Sequence, residues 1–131
     1  MAYGAQYPEA EHQIIVVEGL LAGRLLVNRS PLEIRLVDIS LLPQYRNQGI
    51  GASVVRHLQA EAESAGRPLT LHVARTNEAA IRFYRRLEFV EAGETGSHLR
   101  MEWLARQIRE NALASAGTGE IDQPASDRPR S

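Results

Sequence analysis

The chain has 131 residues, 15 of them lysine or arginine and 16 aspartate or glutamate, for a net charge of −1. That length fits one domain. The balanced charge provides no polybasic field for nucleic acid or a membrane surface. Without cysteine there is neither a disulfide nor an acyl-cysteine intermediate. Apolar runs are short and carry charges, so no segment is expected to span a bilayer. Met1 to His12 lacks the basic start and apolar stretch of a secretory signal, and a cytoplasmic protein is the expectation. His12, His57 and His98 lack metal-ligand spacing, and no metal is implied.

In chain order, residues 1–12 show no periodic signal and read as a lead-in. Ile14 to Val17 reads as a strand, Glu18-Gly19 as a turn, and Leu21 to Asn28 as a second strand with a bulge or widened turn at Ala22-Gly23. Arg29-Ser30-Pro31 turns the chain into a third strand, Glu33 to Leu41, so these three strands form an antiparallel meander. Ile50, Val54, Leu58 and Ala62 recur every four residues, the stripe of an amphipathic helix that Gly66 caps and Pro68 ends. A fourth strand, Leu69 to Ala74, completes a strand–helix–strand unit, for which a parallel, right-handed crossover is expected. Thr76 or Asn77 caps a second helix, about Glu78 to Leu87, with Ala80, Ile81, Tyr84 and Leu87 on its apolar face. Phe89 to Ala92 is a fifth strand, Glu94 to Ser97 a turn, and Leu99, Met101 and Trp103 alternate inward on a sixth. From about Gln107 the composition predicts a disordered tail.

The loop between the third strand and the first helix is Gln44-Tyr45-Arg46-Asn47-Gln48-Gly49-Ile50-Gly51. Such a loop exposes successive N–H groups beside the positive end of a helix dipole, which suits a phosphate or diphosphate. A Walker A loop would end in Gly-Lys-Ser/Thr, but Ala52 and Ser53 follow Gly51. A dinucleotide fingerprint would need a third glycine where Val54 stands. The pattern present, Arg46-x-x-Gly49-x-Gly51, resembles motif A of the Gcn5-related N-acetyltransferases, whose signature is Arg/Gln-x-x-Gly-x-Gly/Ala. Downstream, Asn77-x-x-Ala80-Ile81-x-Phe83-Tyr84-x-x-Leu87-Glu88-Phe89 resembles that family's motif B, in the family's order and at its usual separation. The resemblance covers about residues 13–104, the expected acetyltransferase domain, with 105–131 as the tail.

The resemblance implies an α/β fold with a mixed, twisted sheet in which two parallel strands splay apart and an acetyl-CoA thioester fills the gap. It places the pantetheine arm along the backbone of Ile39, Ser40 and Leu41. It gives the diphosphate to the amides of Asn47, Gln48, Gly49, Ile50, Gly51 and Ala52, with Arg46 as a cation. Asn77 matches the position that hydrogen-bonds pantetheine, with a plain helix cap as its structural alternative. Tyr84 matches the acid that protonates the departing thiolate. Its alternative is a core aromatic at helical spacing. A base must free the attacking amine, and His72, on the fourth strand, titrates near neutral pH. Glu33 and Asp38 are rivals, and simple alternation puts them on opposite faces of the third strand, so that at most one reaches the substrate.

Two departures stand out. Glu88 occupies the place of the family's glycine and costs roughly 1 kcal/mol if the turn there is left-handed. At the front, family members begin with a strand and two helices that wall the acceptor side, for which residues 1–13 are too few. Either the true start lies upstream of Met1, or the chain is a reduced variant, or a second subunit covers the gap; an apolar sheet face left without those helices would favour a homodimer. The expected function is acetyl transfer from acetyl-CoA to a primary amine, of a small molecule or a protein. The alternative is a non-catalytic acyl-CoA-binding or interaction module that has lost its acceptor wall.

Overall fold

In a computed structural model, residues 10–106 and 109–110 are described. Six strands, β1 (Glu11–Val17), β2 (Leu20–Arg29), β3 (Ile34–Leu41), β4 (Leu69–Ala74), β5 (Val90–Thr95) and β6 (His98–Trp103), form one sheet in the order β1-β2-β3-β4-β6-β5. Two α-helices, α1 (Ile50–Ala65) and α2 (Glu78–Arg86), and a short 3₁₀ turn at Pro43–Tyr45 complete the described fold. Among the described residues only β3 and β4 pair in parallel; the other neighbours are antiparallel. The meander and the parallel crossover both stand. The predicted tail lies outside the described residues except near its start, where Arg106, Arg109 and Glu110 are helical rather than irregular and the Arg109 N–H donates to the Ala105 carbonyl at 3.0 Å; most of the predicted lead-in lies outside them too. β1 nevertheless begins at Glu11 rather than Ile14. Glu11, His12 and Gln13 are exposed on an edge strand, so ladder hydrogen bonds rather than apolar alternation hold them.

The core lies between one face of the sheet and the two helices. Val55, Leu58 and Ala62 of α1 pack into the same buried cluster as Leu25 and Val27 of β2, Ile34 and Leu36 of β3, and Leu69, Leu71 and Val73 of β4. Burial of a Leu or Val contributes about 1.5–3 kcal/mol relative to exposure, so this cluster fixes α1 against the parallel pair. Gln59 on α1 donates from Nε2 to the Leu87 carbonyl at 2.8 Å, tying the end of α2 to the same side. Gly66, in the left-handed region at φ 69°, ends α1 as expected. Asn77 rather than Thr76 caps α2, its Oδ1 accepting from the Ala80 N–H at 3.1 Å.

Three register shifts shape the sheet; one leaves Ala92 extra in β5, and the other two bear on the site. In β2 the partner register jumps from Gly23 to Leu21 while β1 advances one residue, leaving Ala22 as the extra residue of the expected bulge. In β3 the register jumps from Leu36 to Asp38 opposite Val27 and Leu26, so Val37 is extra. This second bulge overturns the alternation argument for the two carboxylates. Beyond it Ile39 and Leu41, not Asp38 and Ser40, pack on the core side that Ile34 and Leu36 began. Asp38 therefore shares the helix-free face with Glu33. Among the described residues no helix is long and apolar enough to cross a membrane.

Candidate active site

The Val37 bulge sits where the parallel pair comes apart. β3 and β4 are in register at Ile34↔Leu69, Arg35↔Thr70 and Leu36↔Leu71, and pairing stops there. β3 runs on to Leu41, bonded on its other side to β2 (Ile39↔Leu25, Ser40↔Arg24, Leu41↔Gly23). β4 runs on to Ala74, bonded on its other side to β6. A wedge opens between Ile39–Leu41 and His72–Ala74 in which neither strand has its usual neighbour. This is the splay expected at those residues, and an amide-bearing arm fits it as an added strand.

The loop at the mouth of the wedge has the backbone an anion needs. Asn47 (φ 61°) and Gly49 (φ 83°) are left-handed, and Gly49 is the N-cap of α1 with no side-chain cap. Among the described residues no N–H from Asn47 to Ala52 is spent on a backbone carbonyl. Gln48 folds its side chain back to the Gln44 carbonyl at 2.6 Å, and Arg46 donates from Nε to the Leu41 carbonyl at 3.0 Å, fixing both ends of the loop. A cavity of about 720 Å³ lies against these amides, lined by Arg46, Asn47, Gly49, Gly51 and Ala52 from the loop side. Arg56 of α1 and Phe83 and Arg86 of α2 complete it. The sequence reading missed these three, because only the packing of α2 beside α1 brings them to the loop. A diphosphate suits this lining: unspent amides, a helix N-terminus and guanidinium groups all favour an anion.

Tyr84 is half-buried on α2 between two aromatic edges, with ring centroids 5.1 Å from Phe83 and 5.4 Å from Phe89. Burial first, and then the negative charge of Asp38, push its phenol up to about 12. It thus keeps its proton at neutral pH, and among the described residues its hydroxyl has no hydrogen-bond partner. The residue is packed among core aromatics and still carries its proton. Asn77 caps α2 through Oδ1, which leaves its amide nitrogen unspent among the described residues.

His72 projects from the helix-free face, since its neighbours Leu71 and Val73 point into the core. Burial first, then the positive charges of Arg35 and Arg100, hold its imidazole below the ordinary 6.5, with Glu33 pulling weakly the other way. It is therefore neutral at pH 7, the form a base needs. Glu33 is occupied by two cations, accepting from Arg35 at 2.8 Å and Arg100 at 3.2 Å. Asp38 lies 3.7 Å from Arg24 and close enough to Tyr84 to act on it. The wedge thus brings Tyr84 and Asp38 together, while His72 belongs to the Glu33–Arg35–Arg100 cluster. No group of three or more potential metal ligands occurs among the described residues.

A parallel pair split at a bulge, a loop of unspent amides at its mouth and a protonated tyrosine on the adjoining helix mark out this α/β domain. The model of the acetyltransferase (GNAT) family matches residues 3–89, and the chain belongs to that family. The streptothricin acetyltransferase of Streptomyces lavendulae is 35% identical over 96 residues, 69% of this chain and 51% of that protein. The ribosomal protein bS18-alanine N-acetyltransferase of Escherichia coli K12 is 41% identical over 61 residues, 46% of this chain and 41% of that protein. The chain therefore spans about half the length of the curated relatives it matches. The solved structure of the Escherichia coli bS18-alanine enzyme superposes with a TM-score of 0.64 at 27% identity, covering 73% of this chain and 69% of that one. The PaiA N-acetyltransferase of Thermoplasma acidophilum, solved with coenzyme A, gives a TM-score of 0.64 at 19% identity over 79% and 66% of the two chains. That likeness shows the fold.

Proposed function

We propose that residues 13–104 form an acyltransferase unit that takes an acetyl group from acetyl-CoA and passes it directly to a primary amine of a small molecule or a protein. The observation that carries this reading is the wedge between β3 and β4 with the unspent amides of Asn47–Ala52 at its mouth. The diphosphate rests on those amides beside Arg46. The pantetheine amides pair with Ile39–Leu41, and Asn77 meets the arm through its amide nitrogen. The amine nitrogen attacks the thioester carbonyl; the C–N bond forms and the C–S bond breaks. His72 takes the amine proton directly or through water, and the Tyr84 hydroxyl gives its proton to the leaving sulfur. A backbone N–H of the bulged Val37–Asp38 segment polarises the carbonyl. Most of the rate comes from holding the amine against the thioester, an effect that can reach ~7–11 kcal/mol. In this reading a second copy of the chain covers Ile14, Val16 and Leu21, which are 56–64% exposed; size-exclusion chromatography tests it.

The deciding experiment is Tyr84→Phe, assayed by thiol release against a panel of amines and by calorimetric titration with coenzyme A. Turnover falls by roughly 10²–10³-fold while coenzyme A affinity stays nearly unchanged. Unchanged turnover removes the acid role. Coenzyme A binding with no thiol release for any amine would favour a non-catalytic binding module.

A further inference from the structure

Eight described arginines lie within 4.0 Å of a carboxylate. The three that line the cavity beside the anion loop, Arg46, Arg56 and Arg86, have no ion pair among the described residues. Arg46 is partly spent on the Leu41 carbonyl; Arg56 and Arg86 have no hydrogen bond at all among the described residues. Their neighbour Arg85 is paired with Glu91, so the two basic residues ending α2 have separate uses. Arg67 and Arg109 also lack an ion pair among the described residues, but neither lines this cavity. Three arginines without a carboxylate partner converge on one cavity and give it a positive field that suits an anion.

The count exceeds what a diphosphate needs. The amides of Asn47–Ala52 and Arg46 already serve its two charges. Arg56 stands five residues past Gly51, about 7.5 Å further along the axis of α1 at 1.5 Å per residue, beyond the reach of the first-turn amides. Arg86 faces the same space from the C-terminal end of α2. A cation is at home at a helix C-terminus, and Arg86 also brings its charge to this cavity, where it suits a strongly negative group. Coenzyme A has such a group, a phosphate monoester on the 3′ position of its ribose carrying about −1.5 to −2 charges at pH 7.

Resting on the acyl-CoA reading above, we infer that Arg56 and Arg86 form a clamp for the ribose 3′-phosphate, making the chain selective for coenzyme A over its 3′-dephospho form. The test is calorimetric titration with coenzyme A and dephospho-coenzyme A at two salt concentrations. The unmodified chain binds coenzyme A at least about tenfold more tightly, a difference of 1.4 kcal/mol, and the gap narrows with salt. Arg56→Gln and Arg86→Gln each weaken coenzyme A by about tenfold and leave dephospho-coenzyme A unchanged. Arg82→Gln, on α2 but away from the cavity, changes neither. Adenosine 3′,5′-bisphosphate competes with coenzyme A and adenosine 5′-monophosphate does not. Equal affinity for the two coenzyme forms overturns the clamp and leaves the acyl-CoA reading intact. Absence of binding by both overturns the acyl-CoA reading itself.

Discussion

Replacing Gly23 with Ala would connect sheet packing to the wedge. A Cβ on Gly23 lies 2.1 Å from the Ser40 carbonyl oxygen and 3.0 Å from Leu41 Cα. Because Cβ atoms stay at least 3.0 Å from such neighbours, the end of β3 must yield by about 0.9 Å. Gly23 is paired with Leu41, so the movement is away from β2 and into the wedge, where the pantetheine arm is proposed to lie. Overpacking of this kind costs about 1–3 kcal/mol, a fall of roughly 5–20 °C in Tm for a fold of this size. A displacement near 1 Å in a positioning strand also costs about 10²-fold in rate. The expected variant is folded, less thermostable in calorimetry, and slowed in thiol release far more than its lost stability explains at assay temperature. A Tm within about 2 °C of the parent together with unchanged turnover would mean that β2 absorbs the methyl group and that Gly23 does not set the edge of β3.

Three other predictions follow from backbone angles and titration. Glu88 sits at φ 74°, so Glu88→Gly removes left-handed strain and raises stability by about 1 kcal/mol; a lowered Tm would show that its side chain contributes more than its backbone costs. Gly49→Ala and Gly66→Ala both strain a left-handed residue with open space around it, each costing about 1 kcal/mol. Only Gly49→Ala weakens coenzyme A in titration, and equal effects on binding would contradict a local role for the loop. For pH dependence, His72 must be neutral to act and its folded pKa lies below 6.5. Turnover therefore falls only as pH drops below 6.5, and stays level on the alkaline side until Tyr84 ionises near 12. His72→Gln abolishes the acidic limb; if the limb persists, the base is elsewhere.

What the sequence revealed and what it hid follow one physical line. Local backbone chemistry was legible. Glu18-Gly19 is a left-handed turn (φ 52° and 82°), Gly66 caps α1, and Asn77 caps α2. Turns and caps depend on the residues that make them. The amphipathic stripe of α1 was legible for the same reason, with Leu58 and Ala62 fully buried and Val55 joining them. The bulge at Val37 was not legible, because Leu36-Val37-Asp38-Ile39 reads as unbroken alternation and the extra residue exists only relative to the partner strand. One hidden residue reversed the faces of Asp38, Ile39, Ser40 and Leu41. Arg56 and Arg86 escaped notice similarly: thirty residues apart, they line one cavity only because the fold brings the end of α2 near the start of α1. The family's glycine position kept its left-handed turn with Glu88 in place, so the fold tolerated the substitution, as expected.

The wedge between β3 and β4 also bears on how the protein behaves when it stands idle. Past Leu36↔Leu71 the two strands face each other across the wedge without pairing, and at its end the Leu41 carbonyl accepts from Arg46. Such unpaired edges are usually a rim problem, where they invite other chains to join and precipitate. Here they lie in the interior of the sheet, sheltered by β2 on one flank and β6 on the other. A coenzyme arm lying in the slot completes the ladder and, at a concentration one hundred times its Kd, adds about 2.7 kcal/mol of stability. The shelf life and solubility of the purified protein should therefore follow its nucleotide content, with stripped preparations clouding first on storage and warming.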